Sequence, residues 1–152
     1  MQEHNISIDF LNNASVAPLA AAMHIRCFAD PWDEAAFVSA LAVPGTIMQI
    51  LSVSNQPAAF ALYRVAADEA EILTLGTLPE FRSRKLATQL LNAAFAKFAR
   101  SGIRSLYLEV GSQNFAALRL YSENGLEEIG RRRNYYNHSG RREDAIMMKK
   151  TL

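Results

Sequence analysis

Metal-ligand chemistry is scarce in this chain. It has one cysteine, Cys27, and three scattered histidines, His4, His24 and His138. No Cys/His cluster has the spacing of a zinc site, so no metal is expected. A single cysteine makes no internal disulfide, which favours a reducing compartment and points to the cytoplasm. No apolar run is long enough to span a bilayer, and the N-terminus lacks a basic region followed by an apolar core. Charge of one sign is missing too. Sixteen basic residues face fifteen acidic ones, a formal net charge of +1. That gives no electrostatic case for nucleic acid or an anionic membrane. No repeat, low-complexity tract or linker divides the chain. One domain over residues 1–152 is therefore expected, and the 50% hydrophobic content suffices for a core.

What is present is organised around residues 70–102. An apolar run, 72–78, ends at Pro79. A short turn with Phe81 leads to Arg82, Ser83, Arg84 and Lys85. Leu86, Leu90, Ala94 and Phe98 then recur every four residues, beside Ala87, Leu91 and Phe95. That is the apolar stripe of a helix. Arg100 falls in its last turn and Gly102 just past it. A helix start leaves about four N–H groups without internal partners and carries partial positive charge, which suits a diphosphate. Taken alone, the stretch is equally an ordinary surface helix with solvated basic residues.

The rest of the chain reads in order around this unit. Ile6, Ile8 and Phe10 alternate as a half-buried strand. A helix is expected over 16–28, and a second through Leu41 with Asp33 as its cap. Cys27 reads as a core residue. Trp32 is either an anchor between helices or a wall of a substrate groove. Strands follow at 46–54, 58–66 and 71–78, with turns at 55–57 and 68–69, as an antiparallel meander. After the central helix come a strand at 105–110 and a short helix at 114–124. Two last strands, 126–133 and 143–150, flank a loop at 134–142. The order β-α-α-β-β-β-α-β-α-β-β implies an α/β (α+β) fold, a mixed sheet of about seven strands flanked by about four helices.

Two further residues carry chemical potential. Glu109 shares a strand face with Tyr107, opposite Leu106, Leu108 and Val110. A carboxylate near a strand end in such a fold often faces a crevice. It is also compatible with a solvated edge or an arginine partner. Asn114 and Tyr121 stand seven apart on one helical face, about 10 Å along the axis. Asn114 is a good N-cap in any case, and Tyr121 a good core residue.

Several stretches resemble the GNAT superfamily of N-acetyltransferases. Residues 82–87 fall on its Gln/Arg-x-x-Gly-x-Gly/Ala pattern at a helix start, with Arg82 and Ala87 in place and Lys85 where the family usually has glycine. Leu106-Tyr107-Leu108-Glu109-Val110, then Asn114-Phe115-Ala116-Ala117, Leu120-Tyr121 and Asn124-Gly125-Leu126, resemble its second half. Arg132-Arg133-Asn134-Tyr135-Tyr136, with residues 143–148 and the Pro31-Trp32 segment, resemble the RimI-type subgroup. That subgroup acetylates the N-terminal alanine of a small-subunit ribosomal protein.

The resemblance implies roles. Glu109 would be the proton acceptor and Tyr121 the proton donor. Leu75, Gly76 and Thr77 would meet the acetyl-pantetheine arm. Arg82, Ser83, Arg84, Lys85, Leu86, Ala87 and Thr88 would surround the diphosphate, and Asn114 would contact the coenzyme. Trp32, Tyr135 and Tyr136 would meet the substrate. Acetyl-CoA is the implied co-substrate, a protein or peptide N-terminus the implied acceptor, and a monomer or weak dimer the implied assembly. The alternatives are a small-molecule amine or a protein lysine as acceptor, or a silent CoA-binding member of the family, motivated by Lys85.

Simple chemistry suits an α-amine. Its ordinary pKa is about 7.8, against about 10.4 for lysine. Deprotonation at pH 7 thus costs about 1 kcal/mol for the first and about 4.6 kcal/mol for the second.

Overall fold

The computed structural model describes residues 5–138 and 140–152. His4 and the side chain of His138 lie outside the described residues. The elements are β1 (Ile6–Leu11), α1 (Ala17–His24), α2 (Glu34–Ala42), β2 (Thr46–Val53), β3 (Gln56–Ala66), β4 (Glu69–Thr77), α3 (Leu86–Arg100), β5 (Ser105–Gly111), α4 (Phe115–Glu123), β6 (Glu127–His138) and β7 (Arg141–Thr151). Seven strands and four helices in this order match the expected fold. No helix among the described residues is long and apolar enough to cross a membrane.

One seven-stranded sheet runs β1-β2-β3-β4-β5-β7-β6. Every neighbouring pair is antiparallel except β4 and β5. Short turns explain the meander. Ser54 and Asn55 both take positive φ, 48° and 67°, the two-residue turn that matches strand twist. Pro57, expected in the turn, instead lies in β3. It sits beside a register break at Leu51/Ser52, where a missing N–H does least harm. Gly45, at φ +86°, lies so close to the Val65 carbonyl that any Cβ would overlap it.

The helices cover both faces. Phe60 and Tyr63 point to opposite sides of β3 by strand alternation. His24 and Phe37, from α1 and α2, gather on the Phe60 side. Phe98 of α3 packs edge-on against Tyr63 at 5.0 Å. Leu86, Leu90, Leu91, Ala94 and Phe98 of α3 are all buried, as their spacing predicts.

Three elements depart from expectation: α1 and the two terminal strands. Helix α1 stops at His24, a turn short of residue 28. There the backbone tightens, with the Cys27 and Phe28 N–H groups both donating to the His24 carbonyl. The terminal strands are longer than expected, and most of the 134–142 loop is paired strand. Pairing breaks between Arg132 and Tyr136 and then resumes at Tyr136 opposite Glu143. Asn134, at φ 54°, heads this bulge, and its N–H donates to Asp144 Oδ1 at 2.9 Å. A bulge interrupts alternation, so the stretch reads as loop in sequence.

One buried polar chain ties α3 to the sheet. Tyr63 Oη donates to Gln49 Oε1 at 2.7 Å, and Gln49 Nε2 donates to the Leu90 carbonyl at 2.8 Å. Both side chains are fully buried. Burial raises the Tyr63 phenol well above its usual value, so it serves as a donor. Gln49→Leu strands the Tyr63 hydroxyl, and a buried unsatisfied group costs about 1–3 kcal/mol. Urea denaturation should register that loss. Adding Tyr63→Phe should restore part of it, because the orphaned hydroxyl is then gone.

Candidate active site

Strands β4 and β5 pair over only three positions, residues 69–71 with 105–107. Beyond them the strands separate. A register break in β4 sits at the same place. Leu62 faces Thr74 and Tyr63 faces Ile72, which leaves Leu73 as the extra residue of a bulge. In an antiparallel strand alternate N–H and C=O groups point to each side. From Ile72 to Thr77 one set therefore bonds β3, and the other faces the gap beside β5.

The gap is a cavity of about 190 Å³. Glu109, Tyr121, Asn114 and Leu75 line it, with Ile72, Leu73, Thr74 and Tyr136. Asn114 also caps α4, accepting from the Ala117 N–H at 3.3 Å. Tyr121 is 7% exposed, and burial pushes its phenol up to about 12. It therefore keeps its proton at neutral pH. Glu109 is partly exposed and forms an ion pair with Arg132, Oε1 to Nε 3.3 Å. The arginine-partner reading of Glu109 is thus realised together with its place in the cavity.

An adjoining cavity of about 360 Å³ contains Trp32, Tyr135 and Tyr136 with Arg64, Glu71 and Glu109. Glu109 and Tyr136 stand where the two meet. Tyr135 and Tyr136 pack edge to face at 5.2 Å, and the Arg132 guanidinium lies 5.2 Å from the Tyr135 ring. Burial, then the neighbouring Glu109 charge, raises the Tyr136 phenol. Trp32 packs as an anchor, its ring leaning on Phe37 at 5.3 Å, and also lines this cavity.

A third cavity, about 160 Å³, lies at the start of α3. Thr77, Arg82, Ser83, Lys85, Leu86, Ala87 and Thr88 line it. Arg82 Nε donates to the Thr77 carbonyl at 3.1 Å, and Asn124 Nδ2 to Thr88 Oγ1 at 3.3 Å. Arg84 is apart from this cavity, over the Phe81 ring at 5.5 Å. Gly76 also stands aside: a Cβ there would crowd Phe60 and Cys27. Cys27 is only half-buried, on the edge of the core rather than within it.

Lys85 is the N-cap of α3 with φ 57° and ψ 27°. Ser83, two residues earlier, has φ 63°. Lysine thus adopts the left-handed backbone that glycine adopts freely, while its side chain is exposed. The helix start keeps its shape despite the substitution.

Sequence reasoning passed over His24. It is 2% exposed. Its Nδ1 accepts from the Trp32 N–H at 3.0 Å, and its Nε2 lies 3.0 Å from Thr74 Oγ1. Those partners stand eight and fifty residues away, so no local pattern marks the site. Burial lowers its pKa.

The acetyltransferase (GNAT) family profile matches residues 15–126. The chain belongs to that family and is an N-acetyltransferase. Its relatives narrow the class. It is 35% identical, over 91% of its length and 94% of theirs, to the [ribosomal protein bS18]-alanine N-acetyltransferase of Escherichia coli strain K12. It is 36% identical to the N-alpha-acetyltransferase RimI of Mycobacterium tuberculosis strain H37Rv, over 80% of this chain and 76% of that protein. The crystal structure of the Escherichia coli ribosomal-protein-S18-alanine N-acetyltransferase superposes with a TM-score of 0.90 at 32% identity, covering 97% of this chain and 94% of that one.

Two stability measurements follow from this geometry. A non-glycine residue in the left-handed region is strained by about 1–2 kcal/mol, partly offset by the greater unfolded freedom of glycine. Lys85→Gly should therefore stabilise the protein by about 0.5–1 kcal/mol, whereas Lys85→Ala, which keeps its Cβ, should not. Equal urea midpoints for the two variants would refute this. The second measurement concerns His24, which packs against the Thr74 hydroxyl and the Phe28, Trp32, Phe37 and Phe60 rings. The unfolded imidazole takes a proton near 6.5, the folded one only at lower pH. The unfolded chain thus binds more protons in that window, and stability falls as pH drops below 6.5. His24→Gln should flatten that part of the urea-midpoint profile.

Proposed function

We propose that this N-acetyltransferase moves the acetyl group of acetyl-CoA onto the α-amine of a protein or peptide N-terminus. The acceptor we favour is a small N-terminal residue such as alanine, on a ribosomal protein or similar chain. One observation carries the reading: Glu109 and Tyr121 line the same cavity where β4 and β5 part. The Escherichia coli relative, a [ribosomal protein bS18]-alanine N-acetyltransferase by name, supports the choice of acceptor.

The residues fit the coenzyme. The start of α3 offers free N–H groups, the partial charge of its dipole and the cations of Arg82 and Lys85 to a diphosphate. The gap-facing groups of β4 suit the amide-bearing pantetheine arm. Acetyl-CoA, when bound, supplies an activated thioester. Glu109, directly or through a water, takes the proton that the amine must lose. Gap-facing N–H groups near the Leu73 bulge stabilise negative charge on the carbonyl oxygen. The N–C bond forms as the C–S bond breaks, and Tyr121 gives its proton to the sulfur. A phenol held at about 12 is protonated throughout the neutral range, as a donor must be. Tyr135, Tyr136 and Trp32 bound the space the peptide N-terminus would fill.

The test uses a peptide with a free N-terminal alanine and an internal lysine, and a matched peptide with a blocked N-terminus. Mass spectrometry should find acetylation on the α-amine of the first and none on the second. Equal labelling of lysine in both would instead support a lysine acetyltransferase. Tyr121→Phe should lower kcat by about 10²–10⁴ with acetyl-CoA affinity little changed. Glu109→Gln should slow transfer, with partial recovery at higher pH where the amine is already neutral.

A further inference from the structure

We propose that His24 is a positioning residue for the acceptor: its imidazole ties the backbone at Trp32 to Thr74 beside the β4 bulge, fixing the acceptor wall against the strand that meets the thioester. The inference rests on the acyl-transfer reading of the two cavities. Trp32 lines the outer cavity and Thr74 the inner one.

The geometry sets the ring's state. A backbone N–H only donates, so Nδ1 facing Trp32 must be the unprotonated nitrogen. The neutral ring then carries its proton on Nε2 and donates it to Thr74 Oγ1. Both nitrogens are used, each toward a different cavity. The ring cannot swing away. Phe28 stacks on it at 4.2 Å, with Phe37 at 5.5 Å and Phe60 at 5.6 Å. Helix α1 ends at His24, and the chain to Trp32 lacks regular structure. Helical backbone bonds continue only as far as the Phe28 N–H, and the imidazole supplies the next tie, at Trp32. Without it, Trp32 keeps its packing on Phe37 and the capped start of α2 at Asp33, but loses its tie to Thr74.

Three variants separate the two arms. His24→Asn places a carbonyl near the Nδ1 position, so it keeps an acceptor for the Trp32 N–H. His24→Gln reaches toward Thr74 but offers Trp32 nothing. Thr74→Val deletes only the hydroxyl and stays close in shape. Kinetics use the alanine peptide and acetyl-CoA. Emission of Trp32, the sole tryptophan, reads the wall directly and needs no acceptor. His24→Gln should raise the peptide KM about tenfold, the size of losing one buried hydrogen bond, and leave the acetyl-CoA KM within about twofold. Its Trp32 emission should shift to the red. His24→Asn should recover most of the peptide KM and the parental emission. Thr74→Val should raise the peptide KM about threefold. Unchanged peptide KM and emission in Thr74→Val and in the folded His24 variants would overturn the proposal. So would a fall in kcat with both KM values fixed, which marks a merely structural role. A parent enzyme that transfers nothing to the peptide defeats the acyl-transfer reading instead, and the emission shifts still decide whether His24 holds the wall.

Discussion

The parting of β4 and β5 is the constraint on which the rest depends. Two parallel strands that stay paired would satisfy each other's backbone along their length. Here pairing stops after residue 71 of β4 and residue 107 of β5. Polar groups on the inner edges, at residues 73–77 only half-buried, then face an open gap rather than a paired strand. On the reading proposed above, an extended, amide-bearing ligand laid between the strands would meet those groups as a third strand would. The Leu73 bulge falls where separation begins, so it turns the edge of β4 as well as lengthening it. Helix α3 begins beyond the far end of β4, and α4 begins just past the end of β5. Both helix starts therefore lie beside the carboxyl ends of the parting strands, the usual crevice of an open α/β sheet.

The start of α3, proposed above to hold a diphosphate, depends on backbone shape more than on residue identity. Two left-handed residues, Ser83 and Lys85, set the turn. Glycine would take that shape without strain. Strained backbone persists only where its surroundings over-determine it. Here the surroundings are concrete. Phe81 is buried at 8% exposure, Leu86 at 4%, and Arg82 is tied back to the Thr77 carbonyl. An exposed bidentate pair from Arg26 to Glu80, at 2.7 and 2.6 Å, also joins the end of α1 to this turn, though water screens it and it adds little. With both ends fixed, the turn holds its shape even with lysine at position 85.

Much of this was readable from residue order, and the gaps have physical causes. Alternation at 6, 8 and 10 and at 106, 108 and 110 marked strands, and the stripe on α3 marked its buried face. Periodicity placed Glu109 on a strand and Tyr121 on a helix, and Asn114 at the helix cap, while their roles came from the family resemblance. The bulge at Leu73 left no mark, since one extra residue in an apolar run leaves the run apolar. The hairpin from Asn134 onward read as loop because three residues bulge where only one faces them. His24 was invisible for a different reason. Its role comes from partners that only the folded chain brings together, and a lone histidine on a helix is usually a packing residue.

The Glu109–Arg132 pair also bears on how a charged amine enters. Arg132 is half exposed and Glu109 about a quarter exposed, so water screens their attraction. Such pairs are worth about 0–1 kcal/mol. An ammonium group arriving at Glu109 thus replaces one cation by another at small net expense. Arg132 has a second place to rest, over the Tyr135 ring. The displaced guanidinium stays at the cavity rim rather than losing all contact. On the acyl-transfer reading this favours an acceptor that arrives charged and gives up its proton inside, as an α-ammonium does. A neutral acceptor would leave Arg132 on the base and gain nothing from the exchange. On that reading the bulge in β6 that carries Tyr135 beside Arg132 would help decide which acceptor reaches Glu109.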